Sequence, residues 1–127
     1  MLNAVILVFV GGAVGAVLRE FLMLAVPHLS DGFPMDIFAA NIVASFLLGL
    51  VTGMHNRQAV SDDVNTMVGT GIMGGLSTFS SFAYGAVVMM SASAAAAGVA
   101  AVYVIISLII GFIAVVAGMK LGALRAS

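Results

Sequence analysis

Apolar residues dominate four stretches of the chain, at about residues 4–26, 37–54, 64–90 and 98–121. The connectors between them carry both prolines and most of the acidic side chains. About 20 apolar residues in a helix, at 1.5 Å per residue, cross a hydrocarbon core of about 30 Å. The pattern therefore predicts an all-α membrane protein with four transmembrane helices in one domain, residues 1–127. The limits of the last connector stay open, because the alanines of residues 91–97 could extend either neighbouring helix.

The third apolar stretch is interrupted by "GIMGGLSTFSSF", residues 71–82. Glycine costs about 1 kcal/mol in a helix interior, and serine and threonine offer the backbone competing hydrogen bonds. We therefore predict that the third helix is broken near its middle, between Gly74 and Thr78. Carbonyl and amide groups freed at bilayer depth must be satisfied by protein, water or an ion, and broken transmembrane helices are typical of ion sites. Freed carbonyls suit Na⁺, whereas amides and hydroxyls suit an anion.

Every predicted helix carries glycines at a spacing of four residues. Such pairs let helix backbones approach closely in lipid. The pairs are Gly11 and Gly15, Gly49 and Gly53, Gly71 and Gly75, and Gly118 and Gly122. We expect them to pack helices against one another.

Polar residues inside the spans share helix faces, because residues four apart lie on one side of a helix. Asn41 and Ser45 share a face of the second helix, and Tyr103 and Ser107 share one of the fourth. Any one of these residues could simply form a hydrogen bond between helices. Together with the hydroxyl residues of the third helix, they predict a polar pathway.

Composition excludes several classes of protein. The chain is 63% hydrophobic and 7% charged, against about 25% charged residues in a soluble domain. It has no cysteine, hence no disulfide or thiolate metal site, and its net charge of −1 gives no basic patch for nucleic acid. No paired carboxylates, metal-spaced histidines or Ser/His/Asp set lies within the spans, so we predict that the chain is not an enzyme.

Charged residues near the membrane ends leave two questions open. Arg19 lies about two turns from the end of the first helix, where it could either snorkel or keep an ion vestibule electropositive. Its neighbour Glu20 points about 100° away and is predicted to be interfacial. His28 and His55 fall in connectors and are predicted to be solvated.

Orientation follows only weakly from charge. Three basic residues, Arg57, Lys120 and Arg125, are predicted on the side of the membrane that holds the termini. The other side has one basic residue nearby, Arg19, and the acidic residues Asp31 and Asp36 in its loop. This bias mildly favours termini in the cytoplasm and is compatible with insertion in both orientations.

The third-helix string "GGLSTFSSF" resembles the signature of the Fluc (CrcB-type) fluoride channels. "GGAVGAVLR", residues 11–19, and "NIVASFLLG", residues 41–49, are similar to the first and second helices of that family. The resemblance implies a passive fluoride channel in the bacterial inner membrane, built as an antiparallel dual-topology homodimer with two anion pores and without an organic cofactor. It also implies a structural Na⁺ at the dimer centre.

The resemblance assigns roles to individual residues. Backbone carbonyls of Gly74 and Ser77 would hold the Na⁺, and Arg19 matches an arginine near the pore mouth. The anion pathway would be lined by Asn41, Phe79, Phe82, Ser81, Tyr103 and Ser107. Phenylalanine ring edges are positive, so an edge-on ring can face an anion.

One position departs from the family, since many members carry an acidic residue where this chain has Gly85. Two other functions stay open. A proton-coupled carrier of the four-helix antiparallel-dimer type would need a mid-membrane carboxylate, for which Glu20 is the candidate. A non-conducting assembly subunit would use only the glycine faces.

Overall fold

A computed structural model of the chain describes residues 1–27 and 33–124. The predictions that involve His28, Asp31 and Arg125 lie outside the described residues. The helical elements, in chain order, are α1 (Leu2–Ala25), α2 (Met35–Asn56), α3 (Asp62–Val64), a π-helix (Asn65–Ile72), α4 (Met73–Leu76), α5 (Phe79–Ala92) and α6 (Ala94–Ala123).

Four helical segments are long and apolar enough to cross a membrane, as predicted. They are α1, α2, the combined segment Asp62–Ala92, and α6. The chain is therefore an all-α, multi-pass membrane protein.

The third span is broken, as the sequence predicted. The paired glycines nevertheless stay helical within α4, and the break itself consists of Ser77 and Thr78. Both residues are extended, with φ −75° and ψ 151° at Ser77 and φ −144° and ψ 106° at Thr78. The break separates the first half of the span, which is α3, the π-helix and α4, from its second half, α5.

The two halves of the broken span pack against different helices. The first half lies along α1, whereas α5 lies along α6, and α6 also packs along α2. The break thus occurs where the span leaves one neighbour and joins another.

Close packing between these helices depends on the predicted glycine pairs. A Cβ on Gly15 would collide with the carbonyl oxygen of Ile72, and one on Gly75 with that of Gly12. On the other side of the bundle, a Cβ on Gly49 would meet the Val115 carbonyl, and one on Gly118 the Phe46 carbonyl. Two glycine seams, α1 with the first half of span 3 and α2 with α6, confirm the packing role.

The connector between the last two spans is shorter than residues 91–97. Ser93 alone interrupts the helices, with φ −167° and ψ 167°, and its hydroxyl caps α6 by accepting a hydrogen bond from the Ala96 amide at 3.0 Å. The flanking alanines are helical, because alanine has the highest helix propensity and the cap satisfies an amide of the first turn.

Candidate ion pathway

The backbone of the break is held by a side chain from a different span. The Thr78 amide donates to Asn41 Oδ1 at 2.8 Å, and Asn41 Nδ2 donates to the Thr78 carbonyl at 3.5 Å. One amide side chain on α2 thus pairs the Thr78 amide, which no helix satisfies, and gives a second donor to the Thr78 carbonyl, which also accepts from the Phe82 amide at 3.3 Å.

Thr78 also begins the second half of the span. Its Oγ1 accepts a hydrogen bond from the Ser81 amide at 3.3 Å and donates to Ser81 Oγ at 3.1 Å, with Ser80 Oγ at 3.4 Å. This is an N-cap, which threonine favours because its oxygen replaces a missing helical acceptor. Thr78 is buried, at 6% exposure.

Because of these hydrogen bonds, the Gly74 and Ser77 carbonyls, which precede α5, lack the amide donors that they would have in a continuous helix. In a continuous helix the Gly74 carbonyl would accept from the Thr78 amide, and the Ser77 carbonyl from the Ser81 amide. Those amides are bonded to Asn41 and to the Thr78 hydroxyl instead. A Cβ on Gly74 would have no atom within 4 Å among the described residues, so this turn borders open space. Carbonyl oxygens without these donors fit a hard cation that prefers oxygen ligands.

Arg19 contacts the end of α4. Its Nη1 donates to the Gly75 carbonyl at 3.3 Å, and the side chain is half-buried. A cation at a helix C-terminus is favourable because the last carbonyls carry partial negative charge. Arg19 therefore stabilises the last turn before the break. This role is neither the snorkelling nor the electropositive vestibule that the sequence suggested.

A cavity of about 240 Å³ lies beside the break and opens to the surface. Its lining mixes amide, hydroxyl and aromatic groups: Asn41, Ser45, Ser77, Phe79, Phe82, Ser107 and Leu108. A second cavity of about 130 Å³ also touches Ser45 and Ser77 and reaches Gly74 and Gly69. Ser45 and Ser77 therefore border both cavities.

Aromatic rings extend from this cavity toward the loop between α1 and α2. Phe79 is 80% exposed, and its ring centroid lies 6.1 Å from that of Phe82. The Phe82 ring lies 5.1 Å from that of Tyr103, which is completely buried. The three rings form a continuous path from the open side of the cavity into the protein.

Two buried hydroxyls on α6 follow this path. The Tyr103 hydroxyl and Ser107 Oγ make no hydrogen bond to any of the described residues. Buried polar groups are nearly always paired with protein, water or a ligand. These two oxygens are thus available to a molecule or ion within the path.

The structure brings four of the predicted pathway residues together in one cavity: Asn41, Phe79, Phe82 and Ser107. Tyr103 joins them through Phe82, whereas Ser81 bonds to Thr78 at the start of α5 and Arg19 bonds to α4. Gly85 lies beside Pro34, since a Cβ there would be 3.7 Å from its ring.

The family resemblance assigned no role to Ser45 or Thr78, although the polar pathway predicted from helix faces included both. The cavity contains Ser45 beside Asn41, as their shared face of α2 predicted. The role of Thr78 depends on Asn41, which is 37 residues away in the chain, and no local signal predicts that contact.

Comparison with known proteins agrees with this geometry. A family profile described as "CrcB-like protein, Camphor Resistance (CrcB)" matches residues 6–119. The chain belongs to the CrcB-like family. The matched range includes all the residues that line the larger cavity.

Several curated CrcB-like relatives are named as fluoride channels. "Fluoride-specific ion channel FluC 2" of Brucella melitensis is 60% identical over 122 residues, which are 96% of this chain and 45% of that protein. "Fluoride-specific ion channel FluC 3" of Yersinia pseudotuberculosis is 59% identical over 96% of this chain and 90% of its own length. A relative named "Fluoride-specific ion channel FluC" in Ignicoccus hospitalis is 37% identical over 94% and 95% of the two chains. The chain thus spans less than half of the Brucella protein and most of the other two.

Proposed function

We propose that this chain forms a passive, fluoride-selective channel that lets fluoride leave the cytoplasm down its electrochemical gradient. The observation that carries the proposal is the cavity at the helix break, where Asn41, Ser107 and the rings of Phe79 and Phe82 converge. The names of the relatives supply the identity of the ion.

The lining suits a small anion that passes without being held tightly. An isolated ion in a medium of low dielectric costs tens of kcal/mol, so it must exchange water for other donors. Asn41 and Ser107 offer neutral N–H and O–H donors, and Phe79 and Phe82 offer ring edges. Conduction requires sites that bind well enough to admit the ion and weakly enough to release it.

We infer that the functional unit is an antiparallel, dual-topology homodimer with two pores. The cavity is open to the surface and Phe79 is 80% exposed. An anion in it would meet lipid on that side, so a second copy of the chain would supply the missing wall.

The homodimer would hold one structural Na⁺ at its centre. The Gly74 and Ser77 carbonyls, whose usual helical donors are bonded elsewhere, would provide ligands from each subunit. The ion would be structural, joining two helix breaks, and no organic cofactor is required. For a chain of this kind we propose the bacterial inner membrane as its location.

A proton-coupled carrier is less well supported. Glu20, the carboxylate such a carrier would need, is exposed on α1, and it is absent from the described lining of the cavity. The names of the relatives support a channel over an enzyme or a purely structural subunit.

The test is efflux from liposomes that contain the purified protein, followed in parallel with fluoride and chloride electrodes. Fast fluoride loss without chloride loss, unaffected by a proton gradient, is the expected result. Proton-dependent efflux that Glu20→Gln abolishes would favour the carrier. No efflux from intact dimers would favour the assembly subunit.

A further inference from the structure

Gly111 on α6 is a glycine that helix packing does not explain. Two other glycines of α6, Gly118 and Gly122, let the backbone of α2 approach, because a Cβ on either would collide with a carbonyl of α2. A Cβ on Gly111 would instead touch two side-chain atoms, Ser45 Oγ at 3.8 Å and Ile42 Cδ1 at 4.0 Å. Both are ordinary contact distances, and glycine destabilises a helix interior relative to alanine. The missing side chain therefore has a reason other than close packing.

The space beside Gly111 is bordered by a hydroxyl that makes no hydrogen bond. A serine in a helix can donate to the carbonyl four residues earlier, as Ser91 Oγ does to the Val87 carbonyl at 2.8 Å. Ser45 Oγ makes no such bond, and it has no other hydrogen-bond partner in the part of the chain that the structure describes. Its proton is thus available to an acceptor in the neighbouring space.

Ser45 lies where the two cavities meet. The larger cavity contains Asn41 and Ser107, which lie one turn before Ser45 on α2 and one turn before Gly111 on α6. The smaller cavity lies between α2 and the first half of span 3, and Ser45 and Ser77 border both cavities. An ion that moves from one cavity to the other would pass these two hydroxyls.

The groove between α2 and α6 closes directly after this level. One turn beyond Ser45, at Gly49, the backbones of the two helices are in contact, because a Cβ there would collide with the Val115 carbonyl. An ion beside Ser45 therefore cannot continue between α2 and α6. The open space that remains next to Ser45 is the smaller cavity, which extends past Ser77 to Gly69.

We propose that Gly111 is a positioning residue of the ion pathway: the space left by its missing side chain lets fluoride contact Ser45 Oγ as it passes between the two cavities. This proposal rests on the proposed channel function. At this point the ion exchanges part of its water for the free Ser45 donor, which lowers the cost of dehydration. A side chain at residue 111 would occupy the place of the ion beside that hydroxyl.

The test compares the initial rate of fluoride efflux from liposomes that contain the wild type, Gly111→Ala or Gly98→Ala. Gly98 is a matched control because it lies on the same helix and a Cβ on it meets no described atom within 4 Å. Gly111→Ala is expected to lower the rate by about tenfold, the factor that corresponds to one hydrogen bond to the ion. Gly98→Ala is expected to conduct like the wild type.

Melting temperatures separate the proposed role from a packing role. Both substitutions replace a glycine inside a helix without a steric collision, so both are expected to keep or raise the melting temperature. Wild-type efflux from Gly111→Ala would overturn the proposal. A Gly111→Ala protein whose efflux and melting temperature fall together would also overturn it, because that result indicates that Gly111 serves packing alone.

A second background tests whether Gly111 acts through Ser45. Ser45→Ala removes the donor but leaves the space, and it is expected to lower efflux by about the same factor. In that background Gly111→Ala is expected to cause little further loss, because the contact that it blocks is already absent. A full further loss of about tenfold would show that the two residues act independently and would overturn the proposal.

Failure of this proposal can be distinguished from failure of the channel function. If the wild type releases no fluoride, the channel function fails and this proposal fails with it. If the wild type conducts and Gly111→Ala conducts equally well, only the role of Gly111 fails. Should Gly111→Ala not yield a folded dimer, Ser45→Ala carries the test: reduced efflux at an unchanged melting temperature supports the proposal, and wild-type efflux overturns it.

Discussion

Asn41 on α2 and Thr78 in the third span are joined by two hydrogen bonds, one to the Thr78 amide at 2.8 Å and one from Asn41 Nδ2 to the Thr78 carbonyl at 3.5 Å. The first is short and the second is at the limit of a hydrogen bond. The Asn41 oxygen is thus committed to the backbone, while its amide nitrogen retains capacity to donate into the cavity that it lines. One side chain can therefore both fix the break and serve the anion.

Two substitutions at Asn41 separate these roles. Asn41→Ala leaves the Thr78 amide unpaired, and we expect it to cost about 1–3 kcal/mol of unfolding free energy and to abolish efflux. Asn41→Asp keeps an acceptor for that amide but has no N–H to offer an anion. We expect it to be more stable than Asn41→Ala and still to lose fluoride efflux. Denaturation in detergent and liposome efflux measure the two effects, and wild-type efflux from Asn41→Asp would remove the donor role.

Thr78 is expected to act through its hydroxyl rather than its methyl group. Thr78→Val removes the cap of α5, whose bond to the Ser81 amide is 3.3 Å, and should cost about 0.5–2 kcal/mol of unfolding free energy. Thr78→Ser keeps the hydroxyl and should stay close to the wild type. Thermal unfolding of the two purified variants checks this, and equal melting temperatures would contradict the capping role.

Sequence patterns predicted the four spans and the position of the break, because both depend on local composition. The glycines met one of two expectations: Gly75 packs against Gly12 of α1, as its spacing predicted, but it stays helical within α4 and does not break the span. The π-helix Asn65–Ile72 was not predicted, because π-helices are rare and the apolar pattern of this stretch is that of an ordinary helix. Asn41 contacts Thr78, 37 positions away in the chain, and Arg19 contacts Gly75, 56 positions away. Such contacts depend on tertiary packing and cannot be predicted from local sequence.

The glycine seams predict opposite effects for two Gly→Ala substitutions. In Gly15→Ala the new methyl group collides with backbone atoms of Ile72 and Leu76, which cannot move aside easily, and we expect a loss of about 1–3 kcal/mol. A Cβ on Gly98 in α6 meets no atom within 4 Å among the described residues. Gly98→Ala should therefore stabilise the protein by about 0.5–1 kcal/mol, because alanine loses less entropy in a helix. Unfolding in detergent measures both, and a stable Gly15→Ala would contradict the packing role.

Removal of Na⁺ should weaken the dimer if the Gly74 and Ser77 carbonyls hold this ion. We expect the dimer prepared with only a large organic cation to dissociate or unfold at a lower temperature than the dimer in Na⁺. The reason is that an ion bound only by the folded dimer stabilises it by mass action. Arg19→Gln removes the cation that bonds the neighbouring Gly75 carbonyl and should increase the dependence on Na⁺. Size-exclusion chromatography and thermal unfolding in matched salts give the answer. Full stability and efflux in the organic cation would rule out the site.

The two phenylalanines that line the cavity should affect conduction without affecting assembly. Phe79→Ile and Phe82→Ile keep apolar bulk but remove the positive ring edge, so we expect fluoride efflux to fall by about tenfold, equivalent to about 1.4 kcal/mol. Phe112→Ile on α6 is the matched control, because Phe112 is 71% exposed and does not line the cavity. Efflux should be unchanged in that variant, and all three should elute as dimers. If both cavity variants conduct like the wild type, ring edges have no part in the pathway, and the neutral donors Asn41 and Ser107 must carry the ion with water alone.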